Sequence, residues 1–366
     1  MAEPTGPGRT AASTPHPKLS EILETRKQIE DQCQQALTRL APCPPHLHEF
    51  WIDLLLSDGW TSKTLVVRPR MPKSDFLDSP RVTTSKTCAK RPMILYFFGG
   101  GFRAGSPSQV VFPARRFAEQ FQATVLCPNY RLAPEHPWPQ AMKDGMEITQ
   151  IISHNQAYHF GADLTHGFIL GGLSSGATIA AVVAGLTTTD PTQYPLTHPL
   201  SGIFLSLPFL FVEEILPPEY KSLWTSRNDN RHAEDFNTAS IDEMLSTLGC
   251  NDYTSPWFSP VNLFSSPDQS RTMSKHPPIY LAANGLDPLR DDAIVYEKML
   301  ANAGVRTELL HFPDDGHTSL TSMSVVNSSK SKDPTIEEGT SDGMRWLVGL
   351  ISVGAKAHHE QSDSYS

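Results

Sequence analysis

Cysteine is scarce in this sequence, and its spacing excludes two classes of small cross-linked protein. The 366 residues contain five widely scattered cysteines and no Cys-x-x-Cys pair: Cys33, Cys43, Cys88, Cys127 and Cys250. An odd, scattered set argues against a disulfide framework or a structural zinc site and favours a reducing compartment. The stretch His46-Leu47-His48-Glu49 also lacks the spacing that places two ligands on one helical face, so no metal is expected.

Long apolar runs and an excess of basic residues are missing as well. No stretch reaches the roughly 20 apolar residues that a membrane-spanning helix needs, and the first residues carry no apolar signal core. The net charge is −9 and no long basic run is present, which argues against a nucleic-acid partner. These absences predict a cytoplasmic protein with no membrane span.

The chain is long and apolar enough, at 39% hydrophobic residues, to bury a large core. Its first 18 residues are rich in Pro, Gly, Thr and Ser and are predicted to be a disordered tail. A helix is expected from about Ser20, which would cap it, and an antiparallel hairpin follows at 50–57 and 64–68. We therefore expect residues 19–366 to form a single domain.

Strands and helices then alternate along the chain, which is typical of the α/β class. Strands are predicted at 92–98, 123–128, 201–207, 278–283 and 306–312, with helices at 114–121, 137–155, 291–303 and 340–353. This alternation predicts a mainly parallel central sheet with helices on both faces. Residues 212–275 are polar and irregular and interrupt the alternation, so they are predicted to be an insertion.

One stretch, 168–177, has the pattern of a strand, a sharp turn and a helix. An apolar run leads to Gly172-x-Ser174-x-Gly176, and a run of small residues follows. This is the nucleophile-elbow pattern, in which a serine occupies a strained corner between a strand and a helix that must approach closely. The motif alone occurs often by chance, so the rest of the chain has to support it.

Polar residues follow three predicted strands in the order Ser174, Asp287, His317. Because the carboxyl ends of parallel strands meet at one edge of a sheet, these side chains are expected to lie together as a catalytic triad. Ser174 would be the nucleophile, His317 its base, and Asp287 the group that orients the imidazole. Two alternatives to Asp287 are more typical of a helix start, Asp291 and Asp292.

The glycines of Gly99-Gly100-Gly101 follow a central strand and leave backbone N–H groups accessible. With the N–H of Ser175, those of Gly100 and Gly101 would form an oxyanion hole. A relaxed dinucleotide-binding fingerprint also fits, but it requires an immediate helix and an acidic residue after the next strand. Pro107 argues against a helix that begins directly after the glycines, and the next strand is followed by Asn129-Tyr130-Arg131, which contains no acidic residue. No cofactor is therefore expected.

A long motif completes the pattern, Tyr130-Arg131-Leu132-Ala133-Pro134-Glu135-His136-Pro137-Trp138-Pro139-Gln140-Ala141. This motif resembles one of the hormone-sensitive-lipase-like family of esterases. Four other stretches resemble the pattern of the same family in order: the glycine loop, Gly161-Ala162-Asp163, Ser259-Pro260 and Asp287-Pro288-Leu289-Arg290-Asp291. The resemblance covers the chain from about Met93 onward. It implies an α/β-hydrolase fold, a serine carboxylesterase chemistry without cofactor, and a cap built from about 19–48 and 212–275.

The sequence departs from the family pattern beside the reacting groups. Phe98 stands where the family has a histidine, Leu173 replaces an acidic residue, and His317 is followed by Thr318-Ser319 instead of Gly-Phe. Phe98 and Phe102 are expected to line an acyl pocket, and Leu173 is expected to contact substrate. These departures suggest a specialised member, similar to esterase-like proteins of fungal secondary metabolism.

Three functions are consistent with these residues. The preferred hypothesis is hydrolysis of a carboxylic ester of a small or medium-sized molecule through an acyl-enzyme intermediate. The alternative is a non-hydrolytic dehydratase, cyclase or lyase acting on a bulky biosynthetic intermediate, which Phe98 and Leu173 favour. A catalytically silent binding module is the third, and the intact triad argues against it. Whether the chain is a monomer or a homodimer stays open.

Overall fold

The structure is a computed structural model, and it describes residues 18–40, 42–70, 91–154, 159–320 and 341–350. Residues 1–17 of the predicted tail lie outside the described residues. So does most of the polar stretch from Pro72 to Arg91, whose composition predicts a loop and which contains Cys88, and so does the end of the predicted last helix. Within the described ranges, no helix is both long and apolar enough to cross a lipid bilayer.

Eight strands form one sheet, as the alternation of strands and helices predicts. In chain order they are β1 (Leu47–Leu55), β2 (Thr61–Pro69), β3 (Met93–Phe97), β4 (Thr124–Cys127), β5 (Phe168–Leu173), β6 (Gly202–Ser206), β7 (Ile279–Asn284) and β8 (Thr307–Phe312). Their spatial order is β1-β2-β4-β3-β5-β6-β7-β8. β1 pairs antiparallel with β2, and β2 pairs antiparallel with β4. All other neighbouring pairs are parallel.

Nine helices accompany the sheet in the described residues. They are α1 (Leu19–Arg39), α2 (Val111–Phe121), α3 (Gln140–Ser153), α4 (Ser175–Thr189), α5 (Ser226–Asp229), α6 (Thr238–Leu248), α7 (Pro267–Met273), α8 (Arg290–Asn302) and α9 (341–350). Every residue of the central strands β3, β5, β6 and β7 is buried, so both faces of the sheet are packed against other elements. The predicted fold class is confirmed.

The cap predicted for α1 at Ser20 is wrong. The helix begins one residue earlier, at Leu19, and its capping position is Lys18. The carboxylate of Glu21, in the first turn, accepts a hydrogen bond of 3.1 Å from the backbone N–H of Lys18, which is the bond that the third helical residue makes in a capping box.

The segment between β6 and β7 contains short helices and turns that are fastened to the start of α8. The Asp291 carboxylate accepts bonds of 2.6 Å from the N–H groups of both Thr225 and Ser226. The buried Asp292 carboxylate accepts from the N–H groups of Leu210 and Phe211 at 2.8 and 3.1 Å. Both acids lie in the first turn of α8, as predicted, and they hold the irregular segment against the sheet.

Candidate active site

Ser174 lies at the corner between β5 and α4, in a backbone conformation that is strained for a side chain. Its φ is 54° and its ψ is −122°. A Cβ at Gly172 would lie 2.3 Å from the carbonyl carbon of Gly176, and a Cβ at Gly176 would lie 2.3 Å from the carbonyl oxygens of both Phe97 and Phe98. Real Cβ atoms do not approach backbone so closely, so both positions require glycine. The turn therefore raises the serine above the end of the sheet.

The structure brings Ser174, Asp287 and His317 together. The Nε2 atom of His317 lies 3.0 Å from the Oγ atom of Ser174, and its Nδ1 atom lies 2.7 Å from the Oδ2 atom of Asp287. All three residues are buried, at 8%, 0% and 9% exposure for Ser174, Asp287 and His317. The other oxygen of Asp287 accepts a bond of 2.8 Å from the N–H of Leu289, so both carboxylate oxygens have donors. This arrangement can activate a serine hydroxyl as a nucleophile.

The loops that carry Asp287 and His317 are joined directly to each other. The Nδ2 atom of Asn284 donates to the carbonyl of Gly316 at 2.6 Å, and the N–H of Gly285 donates to the carbonyl of Phe312 at 2.7 Å. A Cβ at Gly285 would lie 2.0 Å from the carbonyl oxygen of Pro313, so the two loops can meet only at a glycine. Neighbouring parallel strands thus place Asp287 and His317 side by side.

The Gly99–Gly101 loop lies over the elbow and turns back on itself. Gly100 and Gly101 have φ angles of 126° and 61°, and the carbonyl of Gly100 accepts bonds from the N–H groups of Arg103 and Ala104. Within the described ranges, the N–H groups of Gly100, Gly101 and Ser175 donate to no acceptor. Ser175 begins α4, where the helix dipole also favours negative charge. Gly100 and Gly101 line the same cavity as Ser174, and Ser175 follows it in the chain, so these three donors lie near the serine, as the predicted oxyanion hole requires.

Phe98 and Phe102 are not among the residues that line the cavity beside Ser174. The Phe98 ring stacks on Tyr130, with centroids 4.3 Å apart, and its carbonyl accepts a 3.0 Å bond from the Tyr130 hydroxyl. Burial raises the pKa of that hydroxyl, so it stays protonated and keeps donating. Phe102 is also buried, with a φ of 60°. Both rings are buried away from this cavity, whereas Leu173 lines it.

The cavity has a volume of about 240 Å³ and opens next to Ser174 and His317. The two segments predicted to form a cap both contribute side chains to it. Its lining outside the triad and the glycine loop comprises Thr25, Ile29, Arg103, Ala104, Gln109, Leu173, Asp235, Phe236, Ser240, Met244 and Thr318. Phe236 was not predicted as a site residue. Side chains of an irregular segment show no periodicity that would mark which of them face inward.

Arg26 of α1 ties this helix to the glycine loop. Its guanidinium donates to the carbonyls of Arg103 and Ala133, each at 2.5 Å, and forms an ion pair of 2.6 Å with Glu135. Arg26 lowers the pKa of the Glu135 carboxyl by hydrogen bonding, so the pair stays charged. Arg103 in turn pairs with Glu243 of α6 at 2.5 Å. The loop is therefore held from both sides of the cavity, by α1 and by α6.

The described residues contain no group of three or more His, Cys, Asp or Glu side chains that could hold a metal ion. The glycine loop is followed by a 3₁₀ turn that begins at Pro107, so the immediate helix of a dinucleotide site is absent there.

Comparison with known proteins agrees with this geometry. The family model described as alpha/beta hydrolase fold matches residues 94–321. Esterase LipI of Mycobacterium tuberculosis is 32% identical over 238 residues, which are 63% of this chain and 67% of that protein. Versiconal hemiacetal acetate esterase of Dothistroma septosporum is 28% identical over 226 residues, 62% of this chain and 66% of that protein.

A solved structure of vibralactone cyclase has a TM-score of 0.75, with 23% identity over 96% of this chain and 92% of that chain, and shows a shared fold. The family model covers more than half of the sequence, and the relatives are named as esterases. The resemblance inferred from the sequence motifs is confirmed: this chain is a carboxylesterase-like hydrolase and belongs to the hormone-sensitive-lipase-like family of the α/β-hydrolase fold.

Proposed function

We propose that this chain hydrolyses carboxylic esters of small to medium-sized molecules through an acyl-enzyme intermediate on Ser174. The observation that carries the proposal is the continuous hydrogen-bonded chain from Asp287 through His317 to Ser174 at the wall of a cavity. The glycine loop lies over the same wall and supplies the N–H groups that this chemistry needs.

The first half of the reaction forms the acyl-enzyme. The Oγ atom of Ser174 attacks the ester carbonyl carbon, and Nε2 of His317 takes the serine proton. The carbonyl oxygen becomes an oxyanion that the N–H groups of Gly100, Gly101 and Ser175 stabilise. Asp287 stabilises the imidazolium through Nδ1. The C–O bond to the alcohol then breaks, and the alcohol leaves with the proton from His317.

The second half uses water in place of the serine. His317 takes a proton from a water molecule, whose oxygen attacks the acyl carbon of Ser174. The same N–H groups hold the second oxyanion, and the proton returns to the serine oxygen as the C–O bond to Ser174 breaks. The sum of the two halves is ester plus water giving acid plus alcohol, with the enzyme unchanged.

The size of the cavity favours esters with a short acyl group. Its 240 Å³ is smaller than the roughly 300–1,000 Å³ of typical sites for drug-sized ligands. Ile29, Leu173 and Met244 give it apolar walls, while Thr25 and Ser240 add hydroxyls. The relative named as a hemiacetal acetate esterase supports an acetyl or similar acyl group on a metabolite alcohol.

The non-hydrolytic alternative gains no specific support at this site. Phe98 was one of two residues that favoured it, and its ring stacks on Tyr130 instead of lining the cavity. The likeness to a cyclase structure is at 23% identity and concerns the fold alone.

The proposal is tested by the mass of the intact protein after reaction with an aryl fluorophosphonate, together with turnover of p-nitrophenyl acetate, butyrate and octanoate. We expect one adduct on the wild type, none on Ser174→Ala, and turnover lowered by about 10⁴-fold or more in that variant. Ser270→Ala, in α7 and away from the cavity, is the matched control and should behave as wild type. Acetate and butyrate should be turned over faster than octanoate. A wild type that forms no adduct and cleaves no ester would contradict the proposal.

A further inference from the structure

One amide side chain of the insertion grips the turn that carries Asp287. The Nδ2 atom of Asn230 donates to the carbonyls of Gly285 and of Asp287 itself, both at 3.0 Å. Between these two carbonyls lies Leu286, which is 51% exposed and therefore does little to anchor the turn by packing. Asn230 does not line the cavity, so it has no contact with a substrate there. Its two bonds act on the backbone that sets the position of the carboxylate.

Five residues later, the same segment contacts the residues that carry the base. The Oδ2 atom of Asp235 accepts bonds of 2.9 Å from both the N–H and the hydroxyl of Thr318. The ring of Phe236 stacks on the imidazole of His317, with centroids 4.3 Å apart and planes inclined by 25°. The imidazole is thus held by its neighbour in the chain and by an aromatic face.

These contacts all come from residues 230–236, the connection between α5 and α6. At its start the segment is anchored by α5, where the hydroxyl of Ser226 donates to the carbonyl of Pro288 at 2.8 Å. At its end, Asn237 caps α6 by accepting from the N–H of Ser240. A short connection fixed at both ends can hold two separate loops in one relative position.

We propose that the 230–236 segment positions the Asp287–His317 pair, so that the insertion assembles the catalytic machinery as well as covering it. Asn230 sets the acid turn, while Asp235 and Phe236 set the histidine. Loss of any of these contacts leaves the fold of the sheet intact and lets the acid and base separate or rotate. Because misplacement by about 1 Å can lower a rate by about 100-fold, the effect is expected in kcat. The kinetic test of this inference rests on the proposed ester hydrolysis.

Asn230→Ala tests the grip on the acid turn, and the chain offers a matched control. Asn262 makes the same pair of amide-to-carbonyl bonds inside the insertion, to Tyr253 and Ser255 at 2.8 and 2.9 Å, and does not line the cavity. We expect Asn230→Ala to lower kcat for p-nitrophenyl acetate by about 10- to 100-fold with KM little changed, and Asn262→Ala to match wild type. Equal kcat values for the two variants, or a raised KM alone, would overturn the proposal.

The grip on the histidine is tested independently, in case Asn230→Ala does not fold. Phe236→Leu should lower kcat by about 10-fold and Phe236→Tyr should restore it, because tyrosine keeps the aromatic face. The control is Phe264→Leu, which changes another half-buried ring of the insertion and should behave as wild type. Wild-type kcat in Phe236→Leu would count against the proposal.

A proton NMR readout separates this inference from the proposed function. The hydrogen-bonded Nδ1 proton of His317 should give a far-downfield signal in the wild type that weakens or disappears in Asn230→Ala and Phe236→Leu. A signal that is unchanged in both variants would contradict the positioning role. If the signal changes as expected while wild type cleaves no ester, the inference stands and the proposed function fails.

Discussion

The elbow around Ser174 and the insertion between β6 and β7 serve one site but are held by different forces. At the elbow the backbone is packed so closely that a methyl group has no room at Gly172, against Gly176, or at Gly176, against the carbonyls of Phe97 and Phe98. The insertion is irregular and is held by hydrogen bonds and ion pairs to residues about 60 to 80 positions away. Ser174 is therefore placed by close packing of backbone, whereas Asp287 and His317 depend on long-range polar contacts.

This difference determines how each region responds to a change. Close-packed backbone cannot relax around an added atom, so a substitution at the elbow that adds an atom affects the whole strand and helix. A hydrogen-bonded segment can lose one contact and keep the others. A substitution there therefore lowers the free energy of unfolding by a limited amount and shifts a few side chains. Substitutions in the two regions should accordingly differ in size and in kind.

The largest effect is expected at the elbow itself. In Gly172→Ala the new Cβ would lie 2.3 to 2.7 Å from backbone atoms of Gly176 and Ala177, which no side-chain movement can relieve. We expect loss of the cooperative folded state or, if the chain folds, at least an about 100-fold loss of ester turnover. Urea unfolding and p-nitrophenyl acetate turnover measure both outcomes.

The control for this substitution is a glycine with free space around it. Gly349 lies in α9, and a Cβ there would meet nothing within 4 Å. Gly349→Ala should keep full activity and gain about 0.5–1 kcal/mol from helix propensity. Should Gly172→Ala retain wild-type stability and rate, the steric account of the elbow is wrong.

The close contact between Gly172 and Gly176, four residues apart in the chain, helps to make the elbow predictable from sequence. Its glycines, serine and small helical residues are adjacent in the chain, so the motif contains its own structural reason. Asp287 and His317 were predictable because each follows a strand, and parallel strands bring their carboxyl ends to one edge. The bounds of the edge strand were harder to predict. β1 was predicted at 50–57 but runs from Leu47 to Leu55, because its pairing with β2 determines where it begins and ends.

The contacts of the insertion could not be predicted in this way. Asp291 and Asp292 were correctly assigned to a helix start, yet their carboxylates also hold the insertion through backbone N–H groups of residues 210–226. Such donors exist at every residue, so sequence does not reveal which ones a carboxylate will meet. The same holds for Phe236, whose stacking on His317 depends on how an irregular segment folds back.

A smaller effect is expected from breaking the ion pair that fastens the insertion. Arg227 pairs with the buried Asp292 at 2.9 Å and lies over the ring of Trp224. Arg227→Met leaves a buried carboxylate without its cation, so we expect a loss of about 3 kcal/mol in the free energy of unfolding at neutral pH. The exposed pair Arg345–Asp342 is the control, and Arg345→Met should cost less than about 1 kcal/mol.

The pH dependence of that loss identifies its cause. Burial already raises the pKa of Asp292, and removing Arg227 raises it further. At lower pH the carboxyl of the variant becomes protonated and the uncompensated charge disappears. The difference in stability between wild type and Arg227→Met should therefore shrink as the pH falls from 7 towards 5. A difference that stays constant over this range would mean that lost packing, and not the buried charge, causes it.

The smallest effect is expected where the insertion rejoins the sheet, at His276. Burial lowers the pKa of this imidazole to about 4, and its Nδ1 atom lies 2.8 Å from the carbonyl of Pro277. The folded protein keeps it neutral while the unfolded chain takes up a proton below about pH 6.5, so stability is lost as the pH falls from 6.5 towards 4. The resulting loss in the free energy of unfolding is about 2 kcal/mol at pH 5 and almost nothing at pH 7. In urea unfolding, the free energy of unfolding of His276→Gln should therefore rise by about 2 kcal/mol relative to wild type as the pH falls from 7 to 5. His232→Gln, which changes an exposed histidine, should follow the wild-type curve. If all three curves run parallel, the junction of the insertion is not sensitive to protonation, and the acid response of the fold must come from its carboxylates instead.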